Sequence, residues 1–386
     1  MNMNSSGRRA DTHRRMVVPA CVLLAVSLSP ILSCGYTARR YVPPPVAYSG
    51  SSSGVHESVI VPTLDTPAPK GKNVVWCGSL QMAWNQLKSD VIKGPVRVAG
   101  AQDVADRLNS ASFSEDDLPP GSFYAAAGFV PDVVKKIRTE MAEKFPGVKV
   151  QMEENPAPGG IIAYGYLKAA AKFTTPYFDR SQGDVFTDSA GRGTRVRTFG
   201  LFETKGMAEV NERLAAQIDV LYSTRGDDPV NPKEFILDLC KTSKPNQVIL
   251  AAVEPKETLA ATLDYVRRMS AAGEGGKDKT TFSSEDVLAV PNLHWKIEHH
   301  FAELEGKGIL NPGFTNLPLV RVFQMIDFKL DRSGAEVASS ADIYAAAIPR
   351  RYCFTRPFLV IMTRRGAKDP FFVMWVDNAE LLSRVS

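Results

Sequence analysis

Several groupings in the 386-residue sequence have residue types that do chemistry, and their spacing decides what each can do. Leu293-His294-Trp295-Lys296-Ile297-Glu298-His299-His300 offers three histidines, but none stands at the H-E-x-x-H spacing that puts two imidazoles on one helix face; exposed strand-end histidines explain them better than a metal site. Gly50-Ser51-Ser52-Ser53-Gly54 matches the G-x-S-x-G of a hydrolase elbow, yet that elbow needs a strand before it and a helix after it, and the surroundings read as linker. Gly273-Glu274-Gly275-Gly276-Lys277 has the glycines and lysine of a phosphate cradle without its spacing or terminal hydroxyl, and reads as a hairpin tip. No acid, base and nucleophile set emerges, so the chain is not read as an enzyme, and no cofactor is implied.

The N-terminus carries Arg8, Arg9, Arg14 and Arg15 before an apolar run from Met16 to Leu32, too short for a good membrane span and laid out like a secretory signal. Ile31-Leu32-Ser33-Cys34-Gly35 resembles a bacterial lipobox, which implies cleavage before Cys34, its lipidation, and anchoring at the cell envelope or release outside it. Residues 1–33 are therefore read as signal peptide. Residues 34–70, with Pro43-Pro44-Pro45 and the Ser/Gly run, are read as a tether, and 71–386 as the folded body. With Cys21 removed and Cys34 lipidated, Cys77, Cys240 and Cys353 are an odd remainder, better suited to buried thiols than to a disulfide framework.

Composition bounds the class. At 44% hydrophobic and 23% charged residues the chain can build a large core. Discounting the four leader arginines and Asp11 leaves 42 basic against 41 acidic residues, and a near-neutral body argues against nucleic acid as partner.

Element signals are mixed. Ser79 can cap a helix with Leu80, Ala83, Trp84 and Leu87 on one face, and Asp132 a second with Val134, Ile137 and Met141, stopped at Pro146-Gly147. Val148, Val150 and Met152 alternate like a strand, followed by a turn at 158–160 and a strand over 161–167. Val248–Val253 reads as a buried strand leading into a helix with Leu259, Leu263 and Val266. Leu288–Ile297 reads as one strand, Phe301–Leu304 as a short helix, and Leu319–Leu330 as a long strand. Phe358–Thr363 and Phe371–Val376 read as a buried hairpin. Strands and helices without regular alternation indicate α+β.

Between the last long strand and the hairpin lie 26 residues, Asp331–Arg356, longer than connections usually run unless they serve a function. Ala335, Val337, Ser339, Ala341 and Ile343 fall on one side at period two, with Glu336 and Asp342 on the other, while Val337, Ala341, Tyr344 and Ile348 also fit a helix. Here the chain resembles the serpins. Gly334-Ala335-Glu336-Val337-Ala338 stands where that family has its hinge, and Arg356-Pro357-Phe358-Leu359 where it has the strand after its reactive loop. Asn73-Val74-Val75-Trp76, Tyr166-Leu167-Lys168, Thr175-Pro176-Tyr177-Phe178, Leu250–Glu257 and Val290–Leu310 are similar in the same order across 71–386.

The resemblance implies large mixed or antiparallel sheets with surrounding helices and an exposed loop. It implies a monomeric inhibitor of serine or cysteine proteases: the loop is cleaved as bait and inserts into the main sheet before the acyl-enzyme deacylates. Insertion requires small inward side chains in the hinge, Gly334 to Ser339, because a charge there would be buried unpaired. Counting forward from Gly334 puts Ile348 on the N-terminal side of the bait bond and counting back from Pro357 puts Ala346 there; Ile348–Pro349 is a poor protease bond, which favours Ala346–Ala347 or Ala347–Ile348, with Arg350–Arg351 as the trypsin-like alternative. The chain departs from the family at Cys77-Gly78-Ser79-Leu80 in the shutter and at Ala163. Only eight residues separate 152 from 161, where the family has a helix across the main sheet, so that cover is expected to be missing.

Overall fold

The computed structural model describes residues 45–153, 156, 158–202, 207–224, 228, 230–274, 281–315, 317–333 and 349–385, all within the compact unit Pro43–Ser386. In chain order its strands are β1 (Tyr48–Ser51), β2 (Ser58–Ile60), β3 (Asn73–Cys77), β4 (Phe123–Phe129), β5 (Ile161–Ala170), β6 (Phe178–Thr187), β7 (Gly193–Leu201) and β8 (Asp219–Ser223). They continue with β9 (Phe235–Asp238), β10 (Asn246–Ala252), β11 (Val287–Pro291), β12 (Leu293–His300), β13 (Leu319–Leu330), β14 (Arg351–Cys353), β15 (Phe358–Arg364) and β16 (Phe372–Val376). The helices are α1 (Gly78–Gln86), α2 (Gln102–Ser110), α3 (Asp132–Lys144), α4 (Ala208–Ala216) and α5 (Leu259–Glu274).

Three sheets result, as an α+β reading requires. The main sheet has the order β1-β12-β13-β5-β4, a second has β2-β3-β16-β15-β10-β9-β8, and a third has β14-β11-β7-β6. The apolar runs in β3, β15 and β16 are buried along nearly their whole length because these strands lie inside the second sheet. Alternation in β13 sends Val322, Ile326, Phe328 and Leu330 into the principal core, while Phe323 on the opposite face enters a second, smaller one.

Several sequence expectations are corrected. The tether is not a tether from Tyr48 onward: β1 pairs in parallel with β12 and β2 with β3. The Glu380 carboxylate accepts from the His56 and Glu57 N–H groups at 2.6 and 2.9 Å. Composition misled here because Val55, Ile60 and Val61, all buried, sit among the Ser and Gly residues. Leu288–Ile297 is two strands in two sheets, divided at buried Asn292, whose N–H donates to Arg197 O. The expected helix at 301–304 is only a turn. Helix α1 is capped by Cys77 without a side-chain bond, not by Ser79, and α3 begins at Asp132 after Pro131.

Val148–Met152 forms no strand. Its alternating apolar side chains are satisfied another way, by packing with Val133, Val134, Ile137 and Met141 of α3 against Tyr124, Ala126, Ile162, Tyr164 and Tyr166 on the outer face of the main sheet. Each of the four α3 side chains so buried contributes about 1.5–3 kcal/mol. No helix stands between 152 and 161 among the described residues, but the outer face is not bare, because α3, earlier in the chain, packs over it.

Candidate functional site

The main sheet contains one parallel junction in its interior. Strands β12 and β13 are antiparallel, as are β4 and β5, but β5 and β13 run parallel from Ile161 opposite Leu319 to Ala170 opposite Lys329, with one register shift between Leu319 and Arg321. Parallel ladders are slightly less stable per residue than antiparallel ones. A chain turning back from the end of β13 and entering this seam would be antiparallel to both neighbours.

Halfway along, the seam is fastened to α1. Gln324 of β13 stands opposite Gly165 of β5. Its Oε1 accepts from Cys77 Sγ and Ser79 Oγ, each at 3.2 Å, and those two side chains lie 2.9 Å apart. Burial pushes the Cys77 thiol up to about 11, so it remains a neutral donor. Gly165 is required: a Cβ there would lie 2.6 Å from the Ser79 carbonyl. Gln324 Nε2 is buried and has no partner among the described residues.

Both ends of the connection after β13 are held. At the near end buried Asp331 receives Lys329 Nζ at 2.9 Å and the Ser333 N–H at 3.0 Å, while Arg332 Nε donates to Tyr177 O at 2.6 Å. At the far end Asp286, 1% exposed, binds Arg350 through its backbone N–H at 2.8 Å and its guanidinium at 2.6 Å. Arg350 Nη2 also donates to Thr281 O. Arg351 follows in β14, paired with Val287 of β11.

No family model matches the sequence, and no curated protein matches it. Solved structures do. Mouse protein-Z dependent protease inhibitor aligns with TM-score 0.50 and 14% identity over 79% of this chain and 91% of that one. Thyroxine-binding globulin in complex with thyroxine gives 0.47 and 11% over 80% and 93%, and a serpin of the insect Tenebrio molitor 0.45 and 13% over 79% and 92%. The fold is that of a serpin.

Within that serpin fold the expected site residues divide. The hinge Gly334, Ala335, Glu336, Val337, Ala338 and Ser339 and the bait candidates Ala346, Ala347 and Ile348 lie outside the described residues, as does Cys34. Arg350 and Arg351 are described, and their geometry opposes their role as bait: a protease needs a free extended segment, whereas these two are locked by Asp286 and by the β11 ladder. They are anchor residues. Cys77 and Cys240 are buried free thiols, and Cys353 is a half-buried one.

Ser52, the central serine of the G-x-S-x-G match, lies 2.8 Å from His299 Nδ1. Burial and the neighbouring His300 pull His299 down to about 4, too weak a base to activate a hydroxyl at neutral pH, so the pair docks the N-terminal segment onto β12.

Sequence reasoning missed Gln324, Gly165, Asp286 and Asp331. Gln324 did leave a signal, as the lone polar residue in the apolar stripe Val322–Leu330. Asp286 left none, because its partner is 64 residues away.

Proposed function

We propose that the chain is a serpin-type inhibitor of serine or cysteine proteases, acting as a monomer through cleavage and insertion of residues 334–348 into the main sheet. The observation that carries this reading is the parallel β5–β13 seam, directly beside the strand from which that segment departs. Insertion replaces one parallel pairing by two antiparallel ones. Small residues at Ala335, Val337, Ser339 and Ala341 suit entry, and Ala346–Ala347 or Ala347–Ile348 suits a protease with a small apolar pocket. A solved neighbour named as a protease inhibitor supports the same reading. Lipid attachment at Cys34, with the body held at the cell envelope or released outside it, belongs to this proposal.

A second reading, a non-inhibitory surface binding protein of the same fold, is favoured by the Gln324 bolt and by the α3 cover, both of which oppose opening of the seam. One experiment separates them. The chain from Pro43 to Ser386 is nicked with elastase, the cut is located by mass spectrometry, and thermal unfolding is compared before and after. A large rise in Tm together with an SDS-stable protease adduct supports inhibition. An unchanged Tm after a cut within 334–348 sinks it and leaves the binding role.

A further inference from the structure

The main sheet stops at β4. Its pairing with β5 uses the even residues: the Lys168 N–H donates to Ser122 O and the Val130 N–H to Gly160 O, with Tyr124 opposite Tyr166 and Ala126 opposite Tyr164 between them. Antiparallel ladders alternate, so the N–H and C=O groups of Phe123, Ala125, Ala127 and Phe129 face away from β5. Among the described residues none of these backbone groups has a hydrogen-bond partner. The segment that could have paired there, Val148–Met152, is spent on the outer face.

Bare edges in soluble proteins are normally blunted by lysine, proline or a bulge. The run Phe123–Phe129 has none of these, and ends in Phe129, 47% exposed and stacked on Phe314. The opposite edge of the sheet is β1 itself, only four residues long, and a very short edge strand offers little to pair with. Beside the β4 edge lies a recess of about 400 Å³, walled by Met82 and Gln86 on one side and by Lys136, Glu140 and Lys144 of α3 on the other. Lys144 Nζ sits over the Tyr124 ring at 5.4 Å, which sets this charged stripe against the strand.

The three charges recur every fourth residue, about 6 Å apart along the helix. Alternate side chains of an extended strand repeat at about 7 Å. We propose that the β4 edge is a docking site for an extended segment of a partner protein, added as a sixth strand, whose alternate side chains run acidic, basic, acidic against Lys136, Glu140 and Lys144. The other face of that segment is uncharged and meets α1. The chain's own 334–348 segment does not match, since no cation lies between Glu336 and Asp342 to face Glu140.

The probe is a fluorescein-labelled Thr-Glu-Val-Lys-Val-Glu-Thr peptide, compared by anisotropy with its charge-reversed form on the Pro43–Ser386 chain. The first is expected to bind at least tenfold more tightly, and salt should narrow the difference. Ala127→Pro removes an outward N–H that makes no bond within the sheet, and should abolish binding without lowering Tm. The triple exchange Lys136→Glu, Glu140→Lys, Lys144→Glu changes exposed or half-buried side chains and should invert the preference, which decides the matter even if the proline variant fails to fold. Equal binding of both peptides, or binding untouched by a folded Ala127→Pro, overturns the proposal. Self-association lost in Ala127→Pro without peptide discrimination would assign the edge to a second copy, and equally overturns it.

Discussion

Gln324 joins three elements through one amide: it belongs to β13, faces Gly165 of β5, and accepts from Cys77 and Ser79 at the start of α1. Gln324→Ala leaves two buried donors with only each other, at about 1–3 kcal/mol. It should lower the Tm of the uncut chain and speed whatever opens the seam, checked by melting and by the rate of elastase-induced stabilisation. His300 is the pH-sensitive residue of the same sheet. Its Nδ1 meets Glu305 Oε1 at 2.8 Å and its Nε2 meets Glu298 Oε1 at 3.2 Å, which together raise it to about 9 against the opposing effects of burial and Arg321. A raised histidine contributes stability that is complete below its unfolded value of about 6.5 and lost as pH climbs through about 9. Melting curves from pH 6 to 10 should therefore fall across that window, and His300→Gln should flatten them. At this scale the sequence was partly legible: the histidines do stand on a strand, but they are half-buried rather than exposed, and their carboxylate partners could not be paired without knowing that β12 ends against the turn carrying Glu305.

Elements were read best where one face is buried by one neighbour. The hairpin β15–β16, strand β13 and helix α3 stand within a few residues of their expected spans because their periodicity has a single solution. Val148–Met152 failed because a period-two pattern records burial on one side, not pairing, and the side was filled by α3. The far loop anchor was illegible for a different reason, since β14 is only three residues long and is held by a carboxylate from another segment. That anchor has a direct test. Trypsin should leave Arg350–Arg351 intact in the native chain, because the scissile backbone is held in the third sheet. Asp286→Ala strands a half-buried guanidinium, removes the carboxylate that accepts from the Arg350 backbone N–H, and should cost about 3–5 kcal/mol. Limited digestion read by mass spectrometry should then show a new cut after Arg350 or Arg351, and its appearance in the unaltered chain would contradict the anchor.

The boundary of the molecule is where sequence and structure differ most. Pro, Ser and Gly between residues 43 and 54 suggested a chain that stays solvated, and a body beginning near residue 71 followed from that. In the fold, residues 48–60 supply an edge strand to two of the three sheets, so the main sheet has β1 beyond β12 and the second has β2 beyond β3. Asn73 ties β2 to the segment after β16: its Nδ2 donates to Ser58 Oγ at 3.0 Å and to Asn378 Oδ1 at 2.9 Å. Burial of Val55, Ile60 and Val61 alone contributes about 1.5–3 kcal/mol for each side chain. Their sum is comparable with the net stability of about 5–15 kcal/mol that folded domains retain. A chain starting at Gly71 should therefore melt far below one starting at Pro43 or fail to fold, as circular dichroism and gel filtration of the two would show. If both melt alike, the N-terminal strands only rest on the sheets, and the free edge at β4 would have an equal at β12.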